Sequence, residues 1–151
     1  MTEAERIYDQ LSRAYKGEAW HGPSLSELLS DITFEKASKK PLPNSHSIWE
    51  IVLHISAWKK EIKRRIEGEF TSLPPAEDWP AAEELTTASW AETLKTLELR
   101  QEKLLEAVSK LKDEDLEKNA AGQNYSIYFL LHGLVQHDLY HAGQIAILKK
   151  N

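Results

Sequence analysis

The sequence predicts an all-α protein, a four-helix bundle, and three observations support this. Apolar residues recur at helical spacing in four long segments, capping patterns precede several of them, and no segment shows the alternation of half-buried strands. A chain of 151 residues is long enough to bury one core. We therefore expect a single helical bundle domain over residues 1–151.

The first predicted helix covers about residues 2–16 and is interrupted at residues 20–23, which include a Gly-Pro pair. Ser24 and Glu27 then match the pattern of a capping box and predict a further helical stretch. The first helix of the bundle is thus expected in two pieces.

The second long helix is predicted over about residues 47–68, with Ser47 and Glu50 as its capping box. The third is predicted over about residues 89–111. Ser126 can cap the fourth, whose apolar stripe continues nearly to the end of the chain.

Composition excludes several functions. The chain has no cysteine, so disulfides, thiolate metal sites and a thiol nucleophile from the protein are ruled out. A net charge of −5 offers no basic stripe for nucleic acid, and no apolar run is long enough for a membrane span or signal peptide. We expect a cytoplasmic protein that acts on a small molecule and binds neither nucleic acid nor membrane.

Three histidines occupy positions where apolar residues are expected. His137 and His141 form an HxxxH pair on one face of the fourth helix, and that face is otherwise apolar. His54 lies on the apolar stripe of the second helix, whereas His132 is rotated about 180° from His141 and points elsewhere.

Position along the helix axes relates these histidines. His54 lies roughly 11 Å from the start of helix two, and the HxxxH pair roughly 14 to 20 Å from the end of helix four, so the levels match if these helices are antiparallel. That arrangement needs a long crossover between helices two and three, which residues 68–86 can supply. The predicted topology is up-down-down-up.

Three imidazoles without a fourth protein ligand are typical of a catalytic metal site with one open position. Zinc, nickel and iron all accept imidazole, so the ligand set does not select among them. The alternative is three core histidines held by hydrogen bonds, but unpaired buried imidazoles would each be costly. We predict one divalent metal ion bound by His54, His137 and His141.

At these residues the chain resembles the DinB/YfiT-like superfamily of bacterial four-helix metalloproteins. The resemblance is carried by residues 47–55, by residues 136–145 and, for one branch of the family, by residues 19–24. It implies an up-down-down-up bundle, frequent homodimers, and a metal held by His54, His137 and His141. It implies no single reaction, because members include thiol-dependent transferases, thiol-dependent isomerases and proteins described as metal-dependent hydrolases.

Three functions remain open, and we favour the first. A thiol-dependent S-transferase or isomerase would take its nucleophile from a low-molecular-weight thiol cosubstrate, in agreement with the absence of cysteine. A hydrolase would use metal-bound water and need a general base. A non-enzymatic stress-response module would use the metal only to organise the bundle.

The other candidate site residues are aromatic or titratable. Trp20 and His21 at the interruption of helix one, and Trp58 one turn after His54, are pocket candidates. A packed loop explains the first two equally well, and a tryptophan at helical spacing, such as Trp58, usually belongs to the core. We expect Asp138 at the solvated surface, since it projects about 100° away from His137.

Overall fold

The computed structural model describes residues 1–151, and it confirms the all-helical prediction, with eight helices and no strand. The four long helices are α1 (Glu3–Tyr15), α4 (Ile48–Ile66), α6 (Thr87–Ser109) and α8 (Ile127–Leu148). The four short ones are α2 (Leu25–Leu29), α3 (Phe34–Ser38), α5 (Pro75–Asp78) and α7 (Asp113–Leu116). None of the eight has the length and apolarity needed to cross a membrane.

Helix starts test the capping predictions. The capping box of Ser47 and Glu50 is present at α4, and Ser126 caps α8 by accepting from the Phe129 N–H. The predicted box at Ser24 is wrong, because the buried Ser24 Oγ has no hydrogen-bond partner. Residue type and spacing there predict a cap, but the hydroxyl does not bond the turn.

The third long helix begins slightly earlier than predicted. Thr86 is its N-cap, and Thr86 and Ser89 bond each other's backbone N–H reciprocally. The segment from residue 67 to residue 86 therefore joins α4 to α6, as predicted for the long connection. It contains the short helix α5, which the sequence did not reveal, and α5 packs against α4.

The apolar core has two separate parts. On α4, the first part includes Ile55 and the second begins at Ile62; on α8, the second part includes Leu134 and the first begins at Ala142. Between these positions the facing sides of α4 and α8 carry polar side chains, described below. A polar layer therefore separates the two apolar clusters; it contains His137 and His141 of α8, and His54 of α4 lies at its edge beside Ile55.

Candidate metal centre

The structure brings His54 of α4 together with His137 and His141 of α8. One nitrogen from each ring lies within 4.8 Å of the others. His54 and His141 are buried, and His137 is half-buried. His132 contacts Tyr128 and lies 3.8 Å from a Glu3 carboxylate oxygen, away from the cluster, as its helical position predicts.

Hydrogen bonds fix the orientation of two rings. Nδ1 of His54 lies 2.7 Å from the backbone oxygen of Asp78, and Nδ1 of His141 lies 2.7 Å from Oε1 of Gln144. A carbonyl oxygen can only accept, so the His54 Nδ1 carries the proton; the same assignment for His141 makes the Gln144 oxygen the acceptor. Both rings then keep Nε2 deprotonated and available as a ligand.

The arrangement fits a divalent metal ion. Nε2 of His54 and Nε2 of His137 are 3.0 Å apart. Because the His54 proton is on Nδ1, its Nε2 carries a lone pair and no proton. Two ligands of a tetrahedral zinc at about 2.0–2.1 Å from the ion are separated by roughly 3.3 Å. Donor type, separation and the paired Nδ1 atoms of His54 and His141 agree with a three-histidine metal site, while Nδ1 of His137 is buried without a hydrogen-bond partner.

The protonation state is also suitable for a metal. Burial and the neighbouring His141 and His54 rings lower the pKa of His137 to about 3. Burial also lowers the pKa of His54 and that of His141, despite opposing hydrogen bonds to Asp78 and Gln144. All three imidazoles are neutral near pH 7, the form that binds metal.

The segment around α5 covers this cluster. The Trp79 indole lies flat between two imidazoles, with ring centroids 3.8 Å from His54 and 3.6 Å from His46. The Asp78 carboxylate accepts from Nε1 of Trp58 at 2.7 Å and lies 3.1 Å from Nδ1 of His54. Asp78, the last residue of α5, thus supplies a carbonyl and a carboxylate, and Trp79, the next residue, supplies an aromatic wall.

A cavity of about 670 Å³ opens beside the histidines, and we call it the histidine cavity. Its lining residues are His54, Trp58, Asp78, Trp79, Gly133, Gln136, His137, Tyr140 and His141. Trp58 is thus the one pocket candidate that the structure places there. Its ring lies edge-on to His137, with centroids 6.2 Å apart.

Trp20 and His21 lie elsewhere. They line a separate cavity of about 750 Å³ with residues of α1 and the Val135 and Leu139 side chains, and neither lines the histidine cavity. Trp20 is fully exposed. The structure therefore gives these two residues no contact with the three-histidine cluster.

The expectation that Asp138 is solvated is wrong. Asp138 is completely buried and accepts from Nζ of Lys59 at 2.6 Å, and Lys59 is equally buried. The sequence did contain a signal, because Lys59 follows Ile55 by four and precedes Ile62 by three on the apolar stripe of α4. A cation at such a position requires a buried partner.

Sequence reasoning also missed Asp78, Trp79 and His46. Asp78 and Trp79 lie in a connection without periodicity, and His46 precedes the α4 cap. Their only signal was composition, since Glu-Asp-Trp is an unusual run in a proline-rich connection. Nothing in that run predicts contact with a histidine on α4.

The fold and the site define an all-helical protein with a three-histidine cluster able to hold one metal ion. A family model for the DinB superfamily matches residues 19–145, and the chain belongs to this superfamily. The resemblance seen in the sequence is confirmed. Comparisons with curated proteins and with solved structures give no significant match.

Proposed function

We propose that this protein binds one divalent metal ion through Nε2 of His54, His137 and His141 and that it is a metal-dependent enzyme. The observation that carries the proposal is the outward pairing of Nδ1 in His54 and His141, which leaves Nε2 facing the cluster. In metal sites, such outer hydrogen bonds set the tautomer and orientation of ligand histidines. Zinc, nickel and iron are the candidate ions.

We also infer that the long helices run up-down-down-up. Contacts between helix ends support this order, since α4 and α6 meet near their starts, α1 and α8 meet near their starts, and the end of α4 meets the beginning of α8. The contacts concerned are Trp49–Thr93, Glu3–His132 and Arg65–Tyr125. A parallel α4 and α6 require the crossover that residues 67–86 provide.

For the reaction, we favour thiol-dependent S-transfer or isomerisation. A bound divalent ion would supply a Lewis acid that keeps a small thiol deprotonated near neutral pH. Asp78 is the only carboxylate that lines the histidine cavity, and its Oδ1 already accepts from Trp58. The paired carboxylate of Asp78 is suited to holding Trp58 and His54 in position. Thiol-dependent chemistry requires nothing more of Asp78.

Hydrolysis is the second candidate, and the position of Asp78 is the observation in its favour. Its carboxylate is half-buried at the cavity, where it can serve as a general base. Asp78→Asn separates the two reactions, because His54 is held by the backbone oxygen of residue 78, which the variant keeps. Ester hydrolysis should fall by about 10²-fold or more, whereas thiol transfer should change by only a few-fold.

The first experiment is metal analysis of the protein without a histidine tag. About one equivalent of zinc, nickel or iron is expected in the wild type and in His132→Ala, and none in His54→Ala or His137→Ala. Absence of metal after reconstitution would refute the metal site. Metal without activity toward thiol-electrophile pairs or esters would instead favour the non-enzymatic module.

We further propose a homodimer that acts on a small-molecule substrate in the cytoplasm. Exposed apolar side chains near the start of α8, such as Tyr128 and Phe129, support a subunit contact surface there. Light scattering on the eluting protein gives the oligomeric state directly. A mass of about 17.3 kDa would mean a monomer and contradict the dimer.

A further inference from the structure

A second cavity adjoins the histidine cluster, on the other side of the residues that cover it. Its volume is about 470 Å³, within the usual range for small-molecule sites. It shares Trp79, Tyr140 and His141 with the histidine cavity. A ligand in this space would therefore lie against the same His141 ring that faces the candidate metal position.

The lining of this second cavity has no aspartate, glutamate, lysine or arginine. Six of its eleven residues are apolar, namely Leu42, Ile51, Trp79, Tyr140, Ile147 and Leu148, and the others are Asn44, Ser45, His46, His141 and Gln144. We call it the apolar cavity. The cavities beside Trp20 and beside Arg100, in contrast, are lined by several charged side chains. A charged group would lose hydration in the apolar cavity, where two amides, one hydroxyl and two imidazoles are the only polar side chains.

The mouth of the apolar cavity is unusually apolar for a surface. Leu42, Tyr140 and Ile147 are 46%, 67% and 62% exposed, and all three line it. A cluster of exposed large apolar side chains beside a concave site is typical of a ligand-binding surface. The three side chains would lose solvent contact when an apolar ligand enters.

Trp79 lines both cavities. Both faces of its indole are covered, by His46 and by His54, so its edge is what each cavity meets. Tyr140 of α8 lies edge-on to His141 at 5.1 Å between ring centroids and also lines both cavities. The two cavities thus adjoin at the rings of Trp79 and Tyr140, next to His141.

We propose that the apolar cavity binds the uncharged, apolar portion of an electrophilic substrate, while the histidine cavity receives the thiol. The division of roles rests on the proposed thiol chemistry. It assigns the substrate class as a neutral aromatic or branched aliphatic electrophile. Because the two cavities adjoin beside His141, the reacting atoms of two small molecules can approach each other there.

The test uses three probes with one ring system: 2-naphthalenemethanol, 2-naphthoate and 2-naphthylmethylamine, which are neutral, anionic and cationic at pH 7. Each is titrated into the full-length protein in EDTA, with the indole N–H of Trp79 followed by NMR and assigned with Trp79→Phe. The neutral probe should shift this signal and bind at least about tenfold more tightly than either charged probe.

Two matched variants on α8 locate the binding. Ile147→Asp places a charge in the mouth of the apolar cavity and should weaken the neutral probe at least about tenfold. Phe129→Asp is the control, since Phe129 is about as exposed as Ile147 but lines a different, smaller cavity of about 240 Å³ beside His137. It should leave the affinity unchanged within about twofold.

Several results would overturn the proposal: no shift of the Trp79 signal, equal affinity for the charged probes, or equal weakening by Phe129→Asp. Conversion of a dimer to a monomer by Ile147→Asp would also overturn it, by identifying this face as a subunit interface. Because the probes are titrated without metal, failure of the metal-site proposal can be distinguished from failure of the apolar-cavity proposal. Probe binding without metal uptake refutes the metal site, and metal uptake without probe binding refutes the apolar cavity as a substrate site.

Discussion

Removing Lys59 should destabilise the protein far more than removing a surface lysine whose ion pair has the same N–O distance. Lys59 and Asp138 are completely buried, with 2.6 Å between Nζ of Lys59 and Oδ2 of Asp138. Oδ1 of Asp138 has no hydrogen-bond partner. Lys59→Met leaves the buried carboxylate without a counter-ion, and such a change costs about 3–5 kcal/mol. For a chain of this size the melting temperature should fall by about 6–20 °C.

The matched control is Lys63→Met, also on α4. Lys63 pairs with Glu67 at the same 2.6 Å, but both side chains are about one-third exposed, so the loss should be under about 1 kcal/mol. Urea unfolding at pH 7 measures each free energy of unfolding. The double variant Lys59→Met/Asp138→Leu removes both charges and should recover most of the stability, because a buried ion pair can be replaced by apolar packing at little net cost.

The reasoning would be refuted if Lys59→Met cost no more than Lys63→Met. It would equally be refuted if the double variant were destabilised by the sum of its two single variants, since charges that do not interact give additive effects. A coupling of about 2 kcal/mol or more is expected between the two positions.

Three further results are expected. In the metal-free protein, the low pKa of His137 means that the unfolded chain binds one more proton than the folded chain below about pH 6.5, so the free energy of unfolding falls toward pH 4.5. Urea unfolding of His137→Leu should show a shallower fall, by up to about 1.4 kcal/mol per pH unit. An equal slope in the two proteins would refute this. Ser47→Ala should cost about 1 kcal/mol in unfolding free energy, whereas Ser24→Ala, which removes an unpaired hydroxyl, should be neutral or stabilising; equal losses would contradict the capping difference. Gly143→Ala should raise the free energy of unfolding by about 0.5–1 kcal/mol, because the added Cβ meets nothing within 4 Å. Gly122→Ala should lower it, since Gly122 has φ +73° and Phe70 lies 3.1 Å from the added Cβ. A melting experiment that gave the opposite order would overturn the argument.

The parts of the fold that could be predicted depend on local, periodic signals. The apolar stripe and the Ser47 capping box define α4, and a similar stripe after Ser126 defines α8, so both helices and the inward direction of their histidines follow from the sequence. Ser24 shows the limit of such signals. It has the residue type and spacing of a cap, yet tertiary packing buries its hydroxyl without a bond.

The covering of the site could not be predicted, because it comes from a segment without periodicity. Residues 67–86 have prolines and few apolar repeats, which predict only a long connection. That Asp78 accepts from His54 and that Trp79 stacks on it depend on where the connection crosses α4, a tertiary property. The histidine ligands were therefore predictable, whereas the groups that orient and cover them were not.

The polar layer between the two apolar clusters links the buried ion pair to the histidines. Lys59 lies five residues after His54 on α4, and Asp138 directly follows His137 on α8, so the relative register of the two helices fixes both contacts at once. A helix slide that separated the histidines would also separate the buried charges, at a cost of several kcal/mol. We therefore expect Lys59→Met to loosen the spacing between His54 and His137 and to weaken zinc binding about tenfold or more, whereas Lys63→Met leaves the zinc affinity unchanged. Chelator competition at a temperature where both variants are fully folded measures this; an unchanged affinity in Lys59→Met would mean that the apolar clusters alone set the register.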